Sequence, residues 1–232
     1  MKFSLIIPCY NEAANLALLL DRCQIVAQHP DCEVILVDNG SIDNSKEVLN
    51  QLLPRYPSCR TVHVKINTGY GFGILEGLRA AKGDILGWTH ADMQTDPQDA
   101  LTGLKIFEQF GSNILVKGKR YGRPLGDVFF TVCMSIFETG LLGKPMWDIN
   151  AQPTMFTRNF FETWVNPPKD FSLDIFVYYT ALNQGLKVHR FNVLFTKRVH
   201  GVSHWNINWA AKLKFIQRTL NFSLQLRKSI LK

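Results

Sequence analysis

Apolar positions along the chain fall into two patterns, short wholly apolar runs and longer runs at helical spacing. Residues 3–8 and 33–37 are runs of the first kind and read as buried strands. Between them Leu16, Leu19, Leu20, Cys23 and Ala27 keep to one helical face, and Asn11 stands where a cap for that helix is expected. A second helix, capped by Asp43 or Asn44, should stop near Pro54. Residues 61–65 read as a third strand. A glycine-rich loop, 67–73, leads into a helix ending at Ala81. The apolar run 83–88 is a fourth strand, and Pro97 marks the opening of a helix reaching Phe110. This strand–helix alternation predicts an α/β fold with a mostly parallel central sheet and helices on both faces.

Beyond residue 98 the alternation decays. A strand is expected over 113–119 and an apolar helix over 125–142, with Asp127 and Glu138 its only charges. Residues 146–158 read as extended and turn-rich, 171–183 as a helix and 188–195 as a strand. A last helix, 208–227, carries a stripe of Trp209, Leu213, Ile216, Leu220 and Leu224 flanked by Lys212, Lys214 and Arg218. No repeat and no long linker forces a boundary, so 1–232 is expected to form one domain.

Chemistry concentrates where the fourth strand ends. His90, Asp92, Gln94 and Asp96 follow it directly, and ligands of open α/β sheets bind beyond the carboxyl ends of strands. Asp96 before Pro97 reads as a helix cap. Asp92, flanked by His90 and Gln94, has the oxygen and imidazole chemistry that suits Mg²⁺ or Mn²⁺. In the glycine-rich loop Gly69, Gly71 and Gly73 alternate and follow the third strand, not the first, which excludes a Rossmann dinucleotide site. Two readings stay open there, a tight turn with close helix packing or close backbone approach to a nucleotide.

Composition and charge add two points. With 46% hydrophobic and 19% charged residues the chain can bury a full core, and no apolar run of transmembrane length or signal-peptide pattern is read. Cys9, Cys23, Cys32, Cys59 and Cys133 lack paired spacing and read as reduced thiols of a cytosolic protein. Charge is uneven. The net is +7, yet after Asp174 there is no acid against ten Lys and Arg residues. That basic quarter implies an anionic partner: nucleic acid, a membrane surface or a phosphorylated substrate.

Five segments carry a family likeness: 7–12 (IPCYNE), 37–41 (VDNGS), 67–71 (NTGYG), 91–94 (ADMQ) and 198–203 (RVHGVS). In this order and spacing the chain resembles the family 2 glycosyltransferases of GT-A fold, nearest the dolichol-phosphate mannosyltransferase-like branch. The resemblance implies transfer of a sugar from a nucleotide-sugar, with inversion, assisted by Mg²⁺ or Mn²⁺. It divides the chain into a nucleotide-binding half (1–97), an acceptor half (98–204) and a basic amphipathic C-terminal helix (205–232). It further implies that Pro8, Tyr10, Glu12, Asp38, Asn39, Asn67, Gly71 and Ala91 border the nucleotide-sugar. Asp92, Gln94 and His90 would hold the metal. Arg120, Arg123, Arg198, Ser203 and His204 would meet the phosphates of donor or acceptor, since guanidinium forks match phosphate oxygens. Asp92 and Asp174 are the catalytic candidates, with Asp174 either a general base or a helix N-terminal residue with a positioning role. The family's usual Asp-Ala-Asp reads His90-Ala91-Asp92 here, which favours Mn²⁺ over Mg²⁺ and weakens metal use. Asn39 replaces a second acid, and His204 stands where the family carries a base.

The expected activity is hexose transfer from a UDP- or GDP-sugar to a polyprenyl phosphate at the cytosolic face of a membrane. The last helix would lie on the anionic surface. Two rivals share the fold: transfer to a saccharide hydroxyl in surface polysaccharide or glycolipid synthesis, and a non-catalytic nucleotide-binding protein. A nucleic-acid module explains the basic tail but not the strand-end residues, so no nucleic acid is expected. His63, His189 and His200 read as structural or surface histidines, and 147–153 as the shaping of the acceptor side.

Overall fold

The structure is a computed structural model that describes residues 2–201 and 209–230. Seven strands form one sheet: β1 (Phe3–Cys9), β2 (Cys32–Asn39), β3 (Cys59–Val64), β4 (Ile85–Trp88), β5 (Ile114–Tyr121), β6 (Thr154–Thr157) and β7 (Lys187–Leu194). Their order is β3-β2-β1-β4-β6-β5-β7. All neighbours are parallel except β6, which runs antiparallel to both β4 and β5.

Why the strands are apolar throughout follows from the layers. In β1, Phe3, Leu5, Ile7 and Cys9 join one core while Ile6 joins the other; in β2, Val34 and Leu36 part from Ile35 and Val37 in the same way. Side chains of a strand alternate between faces, so a sheet covered on both sides needs apolar residues at every position. One core is closed by α1 (Leu16–Ala27), α2 (Ser45–Leu52) and α4 (Asp99–Phe110), the other by α3 (Tyr70–Ala80) and α7 (Leu173–Asn183).

Several expectations need correction. β6 and the short helix α6 (Arg158–Glu162) emerge from the segment read as extended and turn-rich. Asn11 does not cap α1, which begins at Leu16 after Asn15. Instead Asn11 takes a left-handed backbone, φ 56°, and its Oδ1 accepts the amides of Ile42 and Asp43 across the sheet's end. α4 starts two residues beyond Pro97 with Gln98 at its N-cap and no side-chain cap, so Asp96 is not that cap; its Oδ1 accepts the Gln98 amide at 2.9 Å in the turn before the helix.

α5 (Leu125–Leu142) and α8 (Trp209–Ile230) stand apart from the two-layer plan and pack on each other. α5 is long and apolar enough to cross a membrane, with mean hydropathy 1.5, where no such segment was read from the sequence. Leu125, Phe129 and Ile136 point outward, Phe129 with 71% of its surface exposed. The stripe read on α8 splits: Ile216 and Leu220 turn toward α5, while Leu213 and Leu224 are exposed.

Candidate active site

The sheet changes direction between β1 and β4, since β2 and β3 lie to one side and later strands to the other. Such a switch point opens a crevice at the strand ends. Asp92 lies there, buried at the end of β4. Its Oδ2 meets Arg198 Nη2 at 2.7 Å and its Oδ1 accepts the Gln94 amide at 3.1 Å. The chain reverses at Met93, which holds a left-handed φ of 58°. Arg198 is brought back by a clasp at Thr196. Its amide donates to the Gln94 carbonyl at 2.8 Å, and Gln94 Nε2 donates to the Thr196 carbonyl at 3.1 Å.

His90 is fixed by stacking. Tyr70, from α3, lies between His90 (5.7 Å) and Phe171 (4.6 Å), so three rings form one pile linking both halves of the chain. Burial pushes the His90 imidazole below its ordinary pKa against the pull of Asp92 and Asp174, which keeps it neutral near pH 7. Glu12 is nearby. Burial raises its carboxyl, opposed by the hydrogen bond from Asn15 Nδ2 at 2.5 Å. Among the described residues no three acidic, histidine or cysteine side chains gather around a metal position; the Asp92 carboxylate and the neutral His90 imidazole are the ligand types here that a divalent cation accepts. Gln94 Nε2 serves the Thr196 clasp, which leaves its Oε1, the atom a hard cation would take, outside that hydrogen bond.

Below this crevice lies a buried polar chain. Asp174 is 2% exposed and its Oδ1 accepts Gln152 Nε2 at 2.9 Å, while the Tyr70 hydroxyl faces the same Gln152 nitrogen at 3.4 Å. Burial raises the Asp174 pKa, against the opposing charges of Lys117 and His90. Lys117, fully buried on β5, donates to Thr154 Oγ1 at 2.6 Å and is pushed by burial down to about 7.

A second cluster is built by two arginines, Arg120 near the end of β5 and Arg123 just beyond it. Asp148 takes the Arg120 backbone amide at 3.1 Å and two nitrogens of its guanidinium, Nε at 3.0 Å. Burial alone would raise the Asp148 carboxyl, but the Arg120 charge and hydrogen bonds hold it below the usual range. Arg123 donates to Thr131 Oγ1 at 2.9 Å and to the Asp127 carbonyl at 3.2 Å. Among the described residues its Nε is buried without a hydrogen-bond partner, while its Nη1 lies 3.8 Å from Asp148 Oδ1. Both guanidinium groups lie against the Phe195 ring, at 5.3 and 5.5 Å. They open into a cavity of about 90 Å³ with Ser135, Asn150 and Thr131 in its wall.

A sequence model described as glycosyl transferase family 2 matches residues 4–167. The chain belongs to that family. Two similar proteins are undecaprenyl-phosphate 4-deoxy-4-formamido-L-arabinose transferases. One, from Serratia proteamaculans, is 35% identical over 177 residues, 71% of this chain and 52% of that protein. The other, from Photorhabdus laumondii, is 31% identical over 170 residues, covering 69% and 50%. The chain thus spans about half the length of the curated relatives it matches. A solved structure, glucosyl-3-phosphoglycerate synthase from Mycobacterium tuberculosis with Mn²⁺, UDP and phosphoglyceric acid, superposes with a TM-score of 0.74 at 20% identity, covering 97% of this chain and 78% of that one. The family 2 chain has the GT-A fold.

Within this family 2 chain the residues expected at the site separate into three groups. His90, Ala91, Asp92 and Glu12 gather at the switch point with Arg198, and Arg120 with Arg123 at the second cavity. Asp38, Asn39 and Asn67 turn inward. Asp38 accepts the Ser41 amide at 3.0 Å and meets His63 at 3.2 Å, so His63 is tied to the site's edge. Asn39 Nδ2 donates to the Gly69 carbonyl at 3.0 Å, and Asn67 Oδ1 takes the Gly69 amide at 2.9 Å. The segment read as a glycine-rich loop ends earlier than expected, since Gly71 and Gly73 already lie in the first turn of α3, and both pack closely: a Cβ on Gly71 would stand 2.6 Å from the Asp170 carbonyl, and one on Gly73 2.7 Å from the Asn39 side chain. Pro8 and Tyr10, half-buried, flank the end of β1. Ser203 and His204 lie outside the described residues. Sequence reading missed the Thr196 clasp, the ring pile on Tyr70 and the Asp148–Arg120 pair. Only Trp147-Asp148, placed on the acceptor side, gave a signal.

Proposed function

We propose that this chain moves a sugar from a nucleoside-diphosphate sugar to a polyprenyl phosphate, with inversion, at the cytosolic face of a membrane. The observation that carries the reading is Arg123: a buried guanidinium nitrogen without a partner, beside a second arginine, at the wall of a small cavity. An orphaned buried donor is costly unless an anion completes it. The named function of the curated relatives supports the lipid phosphate, and the UDP and Mn²⁺ of the solved neighbour support the donor.

The chemistry follows from charge. A phosphate acceptor is already anionic at neutral pH, so its oxygen attacks the sugar C1 without a base while the bond to the nucleoside diphosphate breaks. Negative charge grows on the leaving diphosphate, where Arg198 and the Asp92 carboxylate's metal partner would be placed. A divalent ion held by Asp92 and His90 would supply charge neutralisation of that diphosphate. A saccharide hydroxyl would need a base, and Asp174 is sealed beneath Gln152. Asp174 instead positions Gln152 and, through Tyr70, the ring pile that holds His90. The outward stripe of α5, with Arg218, Arg227 and Lys228 on neighbouring α8, is suited to an anionic bilayer surface.

The test is transfer from a panel of UDP- and GDP-sugars to undecaprenyl phosphate. One donor should give a lipid-linked product, and Arg123→Ala should raise the KM for the lipid phosphate by about tenfold or more, the scale of one charge-assisted contact. Transfer to oligosaccharides with none to the lipid phosphate would overturn the reading.

A further inference from the structure

α5 is wall to two cavities at once. On one side Thr131 and Ser135 face the arginine cavity. On the other, Cys133 and Phe137 face a groove of about 190 Å³ whose far wall is Ile216 and Leu220 of α8. Phe130 and Met134 line both. These positions follow the helical spacing of three and four residues, so the two cavities meet along one stripe of α5. The first offers guanidinium groups; the second is apolar apart from Thr219 and Glu138. Glu138 is buried, Ser223 Oγ donates to its Oε1 at 2.8 Å, and burial pushes its carboxyl up to about 7. Below pH 7 a carboxyl raised this far is mostly protonated, and a protonated acid is compatible with hydrocarbon alongside.

We propose that the α5–α8 groove holds the apolar chain of the same lipid phosphate whose head lies between Arg120 and Arg123. This rests on the acceptor reading given above and adds to it the place of the tail. The commitment to this occupant comes from continuity. An amphiphile with an anionic head and a hydrocarbon chain matches a basic cavity that runs, across Phe130 and Met134, into an apolar one. A free phosphorylated metabolite would use the first cavity and leave the second without a role. The outward stripe of α5, on a third side of the helix, would then rest against the bilayer from which the chain is drawn.

Cys133 gives a direct probe, since it lines the groove and is the exposed one of the five free cysteines. In a Cys32→Ser background, farnesyl phosphate below its micellar concentration should slow maleimide alkylation of Cys133 by about tenfold, while saturating inorganic phosphate leaves the rate within about twofold. Calorimetry on dimethylallyl, geranyl and farnesyl phosphate should show affinity rising by about tenfold or more per added isoprene until the groove is full. Ile216→Trp, which fills the groove, should flatten that series without altering inorganic phosphate affinity. A flat series in the unsubstituted protein, with all three compounds binding, overturns the tail site and leaves the phosphate acceptor standing. Absence of binding by any phosphate, with nucleotide-sugar still bound, overturns both. Protection of Cys133 by plain anionic vesicles and not by farnesyl phosphate makes the groove a bilayer contact and also overturns the proposal.

Discussion

Two aspartate–arginine pairs stand at the two ends of the site and differ in kind. Asp148 holds Arg120 by three hydrogen bonds, one to the backbone, with the arginine side chain 11% exposed. Asp92 holds Arg198 by one contact among the described residues, with that side chain 26% exposed and its segment carried on the clasp at Thr196 and the Phe195 amide's bond to the Tyr121 carbonyl. The first is part of the framework: it fixes the direction of a guanidinium that a ligand then completes. The second is exchangeable, because a cation on Asp92 and an anion beside Arg198 would each replace what the pair gives the other. A charge pair is therefore no marker of function by itself. What separates the two is how many other groups lock the geometry, and whether water or ligand can reach it.

Removing an acid separates them most sharply. Asp148→Ala leaves Arg120 buried and uncompensated and should cost about 3 kcal/mol or more of stability, read as a fall in denaturation midpoint at unchanged m-value. Asp92→Asn should leave stability within about 1 kcal/mol, since Arg198 can turn to water. Its effect should instead fall on turnover, by about 10²–10³, with metal-dependent nucleotide binding lost in calorimetry. Equal stability losses in the two variants would sink the distinction.

The arginine partners give a smaller test. On the proposed role of Arg198 at the leaving diphosphate, Arg198→Ala should lower kcat by about tenfold to a hundredfold with little change in lipid phosphate KM. Arg120→Ala should raise the lipid phosphate KM and also destabilise the fold, since Asp148 then keeps only its longer contact with Arg123, at 3.8 Å. A matching KM effect from Arg198→Ala would move that residue to the acceptor side.

The same contrast explains what the sequence made legible. Buried parallel strands announce themselves by unbroken apolar runs, so β1, β2 and β4 and the strand-end position of Asp92 could be read directly. β6 could not, because Thr154–Thr157 is four residues long and draws its identity from being squeezed between β4 and β5. Asn11 has the chemistry of a helix cap, yet its carbonyl oxygen serves amides 31 and 32 residues away. The glycines of 69–73 are required by the backbone of residues 168–170 and by Asn39, distant partners that no local pattern contains. The arginines could be read as candidates for phosphate; that Asp148 already pairs with Arg120, and at 3.8 Å with Arg123, could not.

Glu138 sets the lower end of the scale, a buried acid that meets a serine and no arginine. Its carboxyl is raised to about 7 in the fold, from an ordinary value near 4.5. The folded state therefore binds the proton more tightly than the unfolded one. The stability this gives is complete below pH about 4.5 and is lost as pH rises toward 7. Between pH 5 and 7 the protein should lose about 1–2 kcal/mol that a Glu138→Gln variant, neutral at all pH, does not lose. Denaturation of both proteins across that range gives the difference directly. A parallel pair of curves would mean that α8 leaves α5 far enough for water to reach the carboxylate, and Glu138 would then behave as Asp92 does: a charge held loosely enough to find another partner.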